Sequence, residues 1–463
     1  MKRLFGTDGM RGEAGRFPLD ARSVLVAGRS LARHLAAGIE ETRGRAVRLV
    51  VGRDTRESGA WLEAALVAGA REAGAECLSA GIVTTPGIAY LARTLPAEAG
   101  VVISASHNPF QDNGIKIFAP SGRKLDDATE RLIEADILAD AKESGAGEEE
   151  RGALASSVAD ERQAESASHL RGLYLDYLAE EVGAGLSLEG LHLVTDCANG
   201  AASELAPQLF ARLGAQVTAI HNSPDGRNIN LDCGSLHIDG LRRAVSETGA
   251  DLGVAFDGDA DRALFIDERG EFVDGDATLW VMANYLDGRG ELSGKVVVAT
   301  VMSNIGLEIA LRSKNLTLAR TDVGDKYVLE ELLRTNASLG GEQSGHIIFP
   351  RRSLAGDGML TTLCLLRAMR ETSAKLSALT AGFERYPQIL VNVRVREKRP
   401  FEEIPEVARA ASEINSKLDG AGRLLLRYSG TEPLARVMIE GERQDEIETY
   451  AQSLAATIRE AIG

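Results

Sequence analysis

One pattern recurs along the chain: a short, continuous apolar run, a turn of Gly, Asn, Asp or Thr, then a helix-like stretch of Ala, Leu and Glu. Val47-Arg48-Leu49-Val50-Val51 leads into Gly52-Arg53-Asp54-Thr55, and Leu191-His192-Leu193-Val194 into Thr195-Asp196-Cys197-Ala198-Asn199-Gly200. The third copy is Val296-Val297-Val298-Ala299 before Thr300-Val301-Met302-Ser303-Asn304. Uninterrupted apolar strands alternating with helices predict parallel sheet covered on both faces, and hence three similar α/β units. Between the first two copies, Ala141 to His169 carries Glu148-Glu149-Glu150-Arg151 and Ser156-Ser157 with few large apolar residues, which reads as a solvated helix or linker.

The style changes near Tyr386-Pro387. Ile389 to Val395 alternates like a half-exposed antiparallel strand, followed by helical Pro405 to Leu418, strand-like Gly422 to Arg427 and Arg436 to Glu440, and a closing helix. The expected fold class is therefore α/β: three similar α/β domains with mixed, mainly parallel sheets plus a smaller α+β C-terminal domain around a central cleft. The expected domains span 1–155, 160–270, 271–380 and 385–463.

Length agrees, because 463 residues at about 150 per domain make three or four domains. Hydrophobic residues at 44% and charged residues at 26% exclude disorder, collagen-like repeats and coiled coil. A net charge of -16 argues against nucleic-acid and anionic-membrane partners. No apolar run approaches about 18 residues, and the N-terminus breaks into Gly6 and Asp8 early, so a soluble, uncleaved cytoplasmic protein is expected. Cys77, Cys197, Cys233 and Cys364 stand singly without a Cys-x-x-Cys pair, which argues against a zinc site or a disulfide framework.

Four segments carry chemistry. Ser104-Ala105-Ser106-His107-Asn108-Pro109 follows the apolar Gly100-Val101-Val102-Ile103, where open α/β sheets bind ligands. Ser106 beside His107 could pair a nucleophile with a base, but neighbours in extended chain point to opposite faces, and no Gly-x-Ser-x-Gly elbow surrounds them. Asp257-Gly258-Asp259-Ala260-Asp261-Arg262 follows a second apolar strand. Its carboxylates at every second residue would repel by roughly 3 kcal/mol per pair at about 5 Å, and a cation relieves this. Oxygen-only ligands suit magnesium. An EF-hand needs a Glu about twelve residues into its loop; Glu268 stands there, but Leu264-Phe265-Ile266 reads as strand.

Gly340-Gly341-Glu342-Gln343-Ser344-Gly345-His346 presents a carboxylate and a hydroxyl, as sugar hydroxyls or an amino group require. Arg427-Tyr428-Ser429-Gly430-Thr431-Glu432-Pro433 offers an Arg fork, hydroxyls and free N–H groups around a glycine, a nest for phosphate to which Arg436 adds charge. No Walker loop or dinucleotide fingerprint occurs in the required context, so ATP and NAD are poor candidates. Phe5-Gly6-Thr7-Asp8-Gly9-Met10-Arg11-Gly12 reads as a turn that carries an Arg. A reactive serine, a metal loop, a hydroxyl-reading loop and a phosphate nest, each on its own domain, converge on a phosphorylated sugar.

In these motifs, in this order, the chain resembles the α-D-phosphohexomutases over essentially its whole length. Gly-Glu-Gln-Ser-Gly-His and Phe-Gly-Thr-Asp-Gly-Met-Arg-Gly are similar to the phosphoglucosamine branch. The resemblance implies that Ser106 is a phosphoserine. It implies that Asp257, Asp259 and Asp261 hold Mg2+ together with an oxygen of phosphorylated Ser106. Arg11, Lys116 and Arg262 would surround the transferring phosphoryl group, with His107 beside it. Glu342 and Ser344 would read sugar hydroxyls, with His346 nearby, and Arg427, Ser429, Gly430, Thr431 and Arg436 would hold the idle phosphate. The implied reaction interconverts glucosamine 6-phosphate and glucosamine 1-phosphate through a sugar 1,6-bisphosphate, for UDP-N-acetylglucosamine and cell-wall precursors, with phosphomannomutase or phosphoglucomutase activity as the alternative. Relatives occur as monomers and dimers, so a homodimer is an expectation. Lys116 is the expected general acid or base if nearby cations depress its pKa, with His346 second.

Overall fold

The computed structural model describes residues 3–6, 8–38, 46–144, 161–429 and 432–463. Three mixed sheets follow one plan. In the first, the order is Glu76–Ile82, Arg48–Arg53, Ala99–Ile103, Asp112–Phe118, Gly9–Glu13 and Phe5–Gly6. In the second it is Gln216–Ile220, His192–Asp196, Leu252–Phe256, Ala263–Asp267 and Phe272–Val273. The third runs Thr317–Thr321, Val296–Thr300, Gly340–Gly341 and Ile347–Ile348. The first three strands of each sheet are parallel, and every later one joins antiparallel. The sheets are thus mixed, with parallel pairing confined to the trio.

This shared plan positions the chemistry. Each sheet turns back on itself between its third parallel strand and the first antiparallel one. That one connection holds Ser104 to Gln111 in the first sheet, Asp257 to Arg262 in the second and Glu342 to His346 in the third. The three chemical loops are therefore equivalent elements of three repeats. Each has one backbone position in the left-handed region: Ser106 at φ 55°, Ala260 at φ 55° and Gly345 at φ 90°. A Cβ on Gly345 would also meet the Ala263 carbonyl oxygen at 2.4 Å, so the third loop requires glycine.

The apolar runs form strands because both faces are covered. Leu49, Val51, Val101 and Ile103 pack with residues of the helices Ala21–Ala37 and Gly59–Glu72. Val50 and Val102, on the opposite face, join a core that continues through Leu193, Phe256, Trp280, Val297 and Leu363. One apolar core thus runs through the first three domains. The fourth domain has a core of its own, from Val393 to Ile462, under the antiparallel sheet Gln388–Arg394, Leu434–Glu440, Arg423–Tyr428. Helices Pro405–Leu418 and Gln444–Ile462 cover it.

Phe5 to Gly12 is not the isolated turn expected. Phe5–Gly6 and Gly9–Glu13 pair as a hairpin on the edge of the first sheet, with Arg11 opposite Gly114. The solvated helix or linker expected over 141–169 falls partly outside the described residues, and its flanks are helices Asp127–Ser144 and Glu161–Asp176.

Candidate active site

Ser106 is buried, with its hydroxyl donating to Asp257 Oδ2 at 2.5 Å. The loops meet this closely because position 258 is glycine: a Cβ there would lie 2.5 Å from the Ser106 carbonyl oxygen. His107 Nδ1 is 3.3 Å from Ser106 Oγ. This corrects the expectation that the two side chains diverge, since the left-handed backbone at Ser106 swings them to the same side.

Side chains that the motif reading missed hold Ser106 in place. Arg56 donates from Nη2 to the carbonyls of Ser106 and Asn108 at 3.0 and 2.8 Å, and Asn230 Nδ2 donates to the same pair at 2.9 and 3.1 Å. The Ser106 N–H donates to Ser104 Oγ at 2.9 Å, and Ser104 donates in turn to Asp54 Oδ2 at 2.6 Å. Asp54 and Arg56 are a fully buried ion pair, 2.9 Å apart. The available signal was the polar turn Asp54-Thr55-Arg56 at the end of an apolar strand.

Asp257, Asp259 and Asp261 are buried, with one ligand atom of each lying within 4.8 Å of the others. Burial, and then repulsion by Asp261 and Asp259, holds the Asp257 carboxyl well above the ordinary value. Burial acts the same way on Asp261, but Lys116, His346 and Arg262 outweigh it and hold that carboxyl well below. Oδ1 of Asp259 and Oδ1 of Asp261 are buried without a hydrogen-bond partner. Two orphaned carboxylate oxygens beside a third carboxyl fit a hard divalent cation.

Lys116 Nζ is enclosed by Asp259 at 2.9 Å, Asp8 at 3.2 Å and Asp261 at 3.3 Å. Burial, the largest influence, opposes its charge, yet Asp259, Asp8 and Asp261 prevail and hold its pKa well above the ordinary lysine value. The expected depression by cations is thus corrected, because carboxylates are its nearest neighbours. Asp8, also missed from sequence, pairs with Arg11, Lys116 and Lys124. Arg262 Nε lies 3.8 Å from Asp261, and the Arg262 backbone N–H donates to Asp257 Oδ1 at 3.2 Å.

His346 does not share the outlook of Glu342 and Ser344. It is buried, with Nδ1 3.7 Å from Asp261 and Nε2 accepting from the Gly356 N–H at 3.2 Å. Burial disfavours its charge, but Asp261, Asp325 and Glu342 push its pKa up to about 9. The Gly356 N–H needs a lone pair on Nε2 and so works against the protonation that these carboxylates favour, while Nδ1 faces Asp261. Glu342 and Ser344 are half-buried, with Ser344 Oγ donating to Glu342 Oε2 at 3.2 Å and the Gly324 N–H donating to Oε1 at 3.1 Å. A cavity of about 450 Å³ opens beside Lys116, Asp261, His346, Asp8, Lys124 and Asp325. A wider, open depression in the fourth domain near Phe401, Ser412 and Leu426 carries none of these groups.

His107 is pressed to a pKa of about 4 by burial and then by Arg262 and Arg11, so its imidazole is neutral at pH 7. Its proton NMR resonances should titrate with a midpoint near 4; a midpoint at the ordinary 6.5 would mean that neither burial nor the two arginines acts on it. Between those values the unfolded chain binds the proton and the folded chain does not, so this group lowers stability as pH falls from 6.5 towards 4.

In the fourth domain, Arg427 and Arg436 face each other across neighbouring antiparallel strands. Like charges opposed in a sheet are unfavourable unless an anion sits between or beside them. Burial and then Arg436 lower the Arg427 pKa, and Arg436 Nε is buried without a partner. Ser429 is buried beside them, with Lys398 Nζ donating to its carbonyl at 2.5 Å. Arg427 Nη2 reaches Met302 Sδ at 3.8 Å, and Arg423 Nη2 donates to the Ser303 carbonyl at 3.1 Å, so this face abuts the third domain. Gly430 and Thr431, expected in the nest, lie outside the described residues.

Known proteins match this arrangement. Domain families described as "Phosphoglucomutase/phosphomannomutase, alpha/beta/alpha domain" I, II and III cover residues 2–144, 173–270 and 274–386, and the C-terminal domain of the same group covers 390–457. A protein named phosphoglucosamine mutase from Solibacter usitatus is 46% identical, with 100% of this chain and 99% of that one aligned. A phosphoglucomutase/phosphomannomutase family protein from Burkholderia thailandensis superposes with a TM-score of 0.77 at 23% identity, over 100% of this chain and 98% of that one. The N-acetylphosphoglucosamine mutase of Aspergillus fumigatus, solved in complex with GlcNAc-6P and magnesium, gives 0.62 at 19% identity over 99% and 96%. Matched by all four domain families and by a full-length relative at 46% identity, the chain belongs to the phosphoglucomutase/phosphomannomutase family, the α-D-phosphohexomutases.

Proposed function

We propose that this enzyme interconverts glucosamine 6-phosphate and glucosamine 1-phosphate through a phosphorylated Ser106 and a glucosamine 1,6-bisphosphate. The observation that carries the reading is the buried Ser106 hydroxyl against a three-carboxylate cluster with two orphaned oxygens. The names of the full-length relatives supply the amino sugar.

Moving a phosphoryl group between O6 and O1 of one sugar in one pose is geometrically prohibitive, so a relay through the protein is the economical route. O1 of the bound 6-phosphate attacks phosphorus, the bond from phosphorus to Ser106 Oγ breaks, and the O1 proton ends on Oγ. The bisphosphate turns around, Ser106 Oγ attacks the other phosphorus, and O6 leaves with the proton. Arg11 and Arg262 offset charge on the group in flight. Protonated Lys116, held by Asp8 and Asp259, supplies positive charge beside the transferring group rather than a proton, because those carboxylates hold its pKa well above the ordinary lysine value. Glu342 and Ser344 read the sugar, while Arg427, Ser429 and Arg436, with Gly430 and Thr431, take whichever phosphate is idle.

Asp257, Asp259 and Asp261, with an oxygen of phosphorylated Ser106, would hold Mg2+, whose charge polarises the phosphoryl oxygens. Residues 1–155, 160–270, 271–380 and 385–463 act as the four domains of this relay, and its place is the cytoplasm. No helix among the described residues is long and apolar enough to cross a membrane.

Phosphorus NMR of the magnesium-loaded protein tests the reading, with glucosamine, glucose and mannose 6-phosphates each primed by a trace of bisphosphate. The glucosamine compound should convert fastest, by roughly tenfold or more, because a site built for a polar substituent discriminates strongly. Faster conversion of glucose or mannose would keep the relay and replace the substrate, and release of inorganic phosphate alone would mean a phosphatase.

A further inference from the structure

We propose that Asp196, His221 and Cys233 form a second cation site, in the second domain, that takes a zinc-type metal. Their ligand atoms lie within 4.8 Å of one another. Asp196 ends the strand His192–Asp196, and His221 directly follows the neighbouring parallel strand Gln216–Ile220, whose Ile220 pairs with Asp196. The connection after His221 returns Cys233 to the same strand ends. The three residues stand far apart in the sequence, so the absence of a Cys-x-x-Cys pair could not reveal or exclude them.

The donor set selects the metal. One oxygen, one imidazole nitrogen and one thiolate suit Zn2+ or Co2+, whereas the oxygen-only triad around Asp259 suits Mg2+. Tetrahedral bonds of about 2.0 to 2.3 Å need donors roughly 3.3 to 3.8 Å apart, a spacing that ligand atoms within 4.8 Å of one another reach by small side-chain shifts. Asp196 and Cys233 are buried, while the His221 side chain is 35% exposed and leaves an entry path. His221 Nδ1 is a buried atom that faces Asp196 Oδ2 at 3.0 Å, so two of the three ligand atoms already stand side by side.

Outer contacts orient the ligands, as metal sites require. The N–H groups of Ala198 and Gly234 donate to the two Asp196 oxygens at 3.0 Å each, and Asn199 Nδ2 approaches Cys233 Sγ at 3.9 Å. The backbone is held in the left-handed region at Ala198, Asn199, His221, Asn230 and Asp232. Such clustering of costly conformations around one side-chain group goes with a site. Three protein ligands leave one position for water. The site also backs the serine loop: the Asn230 N–H donates to the Ala198 carbonyl at 2.9 Å, and Asn230 Nδ2 holds the Ser106 carbonyl.

The test uses the full chain, stripped with chelator, returned to magnesium buffer so that the acidic triad is filled, and titrated with Co2+. One equivalent should develop a thiolate-to-cobalt charge-transfer band in the near ultraviolet, which the oxygen-only triad cannot give, and Zn2+ should bleach it. Cys233→Ser should abolish the band, His221→Ala should weaken binding about tenfold or more, and Cys197→Ser and Cys77→Ser should retain it. A wild-type protein without the band, or a band that survives Cys233→Ser, overturns the site. Should Cys233→Ser fail to fold, X-ray absorption of the wild-type zinc protein decides: sulfur in the first shell supports the assignment, and a shell of oxygen and nitrogen alone overturns it.

Discussion

Ser106→Ala should lower mutase turnover by about four orders of magnitude or more, the scale on which deletion of an attacking side chain falls. Every step of the proposed relay passes through Oγ, so no neighbour can substitute at comparable rate. Folding should survive. Alanine tolerates φ 55° about as well as serine, so the backbone strain is unchanged, and the N–H of residue 106 still reaches Ser104 Oγ. The deletion leaves Asp257 without one donor, but its carboxyl is already held well above the ordinary value, chiefly by burial, and takes up a proton readily. Two readouts check this together. Incubation with glucose 1,6-bisphosphate should leave a phosphate on the wild-type peptide containing residue 106 and none on the variant, and thermal unfolding of the two should nearly coincide. Turnover retained in Ser106→Ala would remove Ser106 from the reaction, whatever the labelling showed.

The sequence made the chemistry legible segment by segment because each chemical loop directly follows a strand whose apolar pattern is easy to read. Asp257, Asp259 and Asp261 were visible as a set since alternation along a short loop brings carboxylates together with no help from the rest of the fold. The topology joining them to Ser106 was less visible. That the serine, metal and Glu342 loops are the same connection in three repeats depends on strand order, which no local pattern encodes. Side-chain direction was harder still. The expectation that Ser106 and His107 diverge assumed extended backbone, and a single left-handed residue reversed it. Lys116 was read among cations because Arg11 and Arg262 could be recognised from their motifs. Asp8, which reaches it only through a hairpin on the sheet edge, could not. The fourth domain was recognisable by its alternation, yet its separate core needed coordinates.

The largest stability effect should come from a residue with no part in the chemistry. Arg56→Leu should cost about 3 to 5 kcal/mol, because it strips one partner from a fully buried ion pair. The loss goes beyond the pair. Arg56 also donates to the carbonyls of Ser106, Asn108, Pro109 and Asp112, so its removal orphans acceptors along the whole serine loop. Asp54 would remain buried with only hydroxyl and backbone donors, and burial, already the first influence raising its pKa, would then drive it to the neutral acid. The first thermal transition should drop by roughly 10 °C, and turnover should fall as well, since the Ser106 carbonyl would be held by Asn230 alone. Arg56→Lys separates charge from geometry: it restores a cation near Asp54 but cannot reproduce a planar fork shared among four carbonyls, so it should recover stability more than activity. Replacing both partners, as Asp54→Leu with Arg56→Leu, should cost less than the two single changes summed, because neither charge is then left alone. Unfolding midpoints of the four variants, measured with turnover on the same preparations, settle the matter. An Arg56→Leu protein that melts within a degree of wild type would show that the buried pair contributes nothing to holding the serine loop.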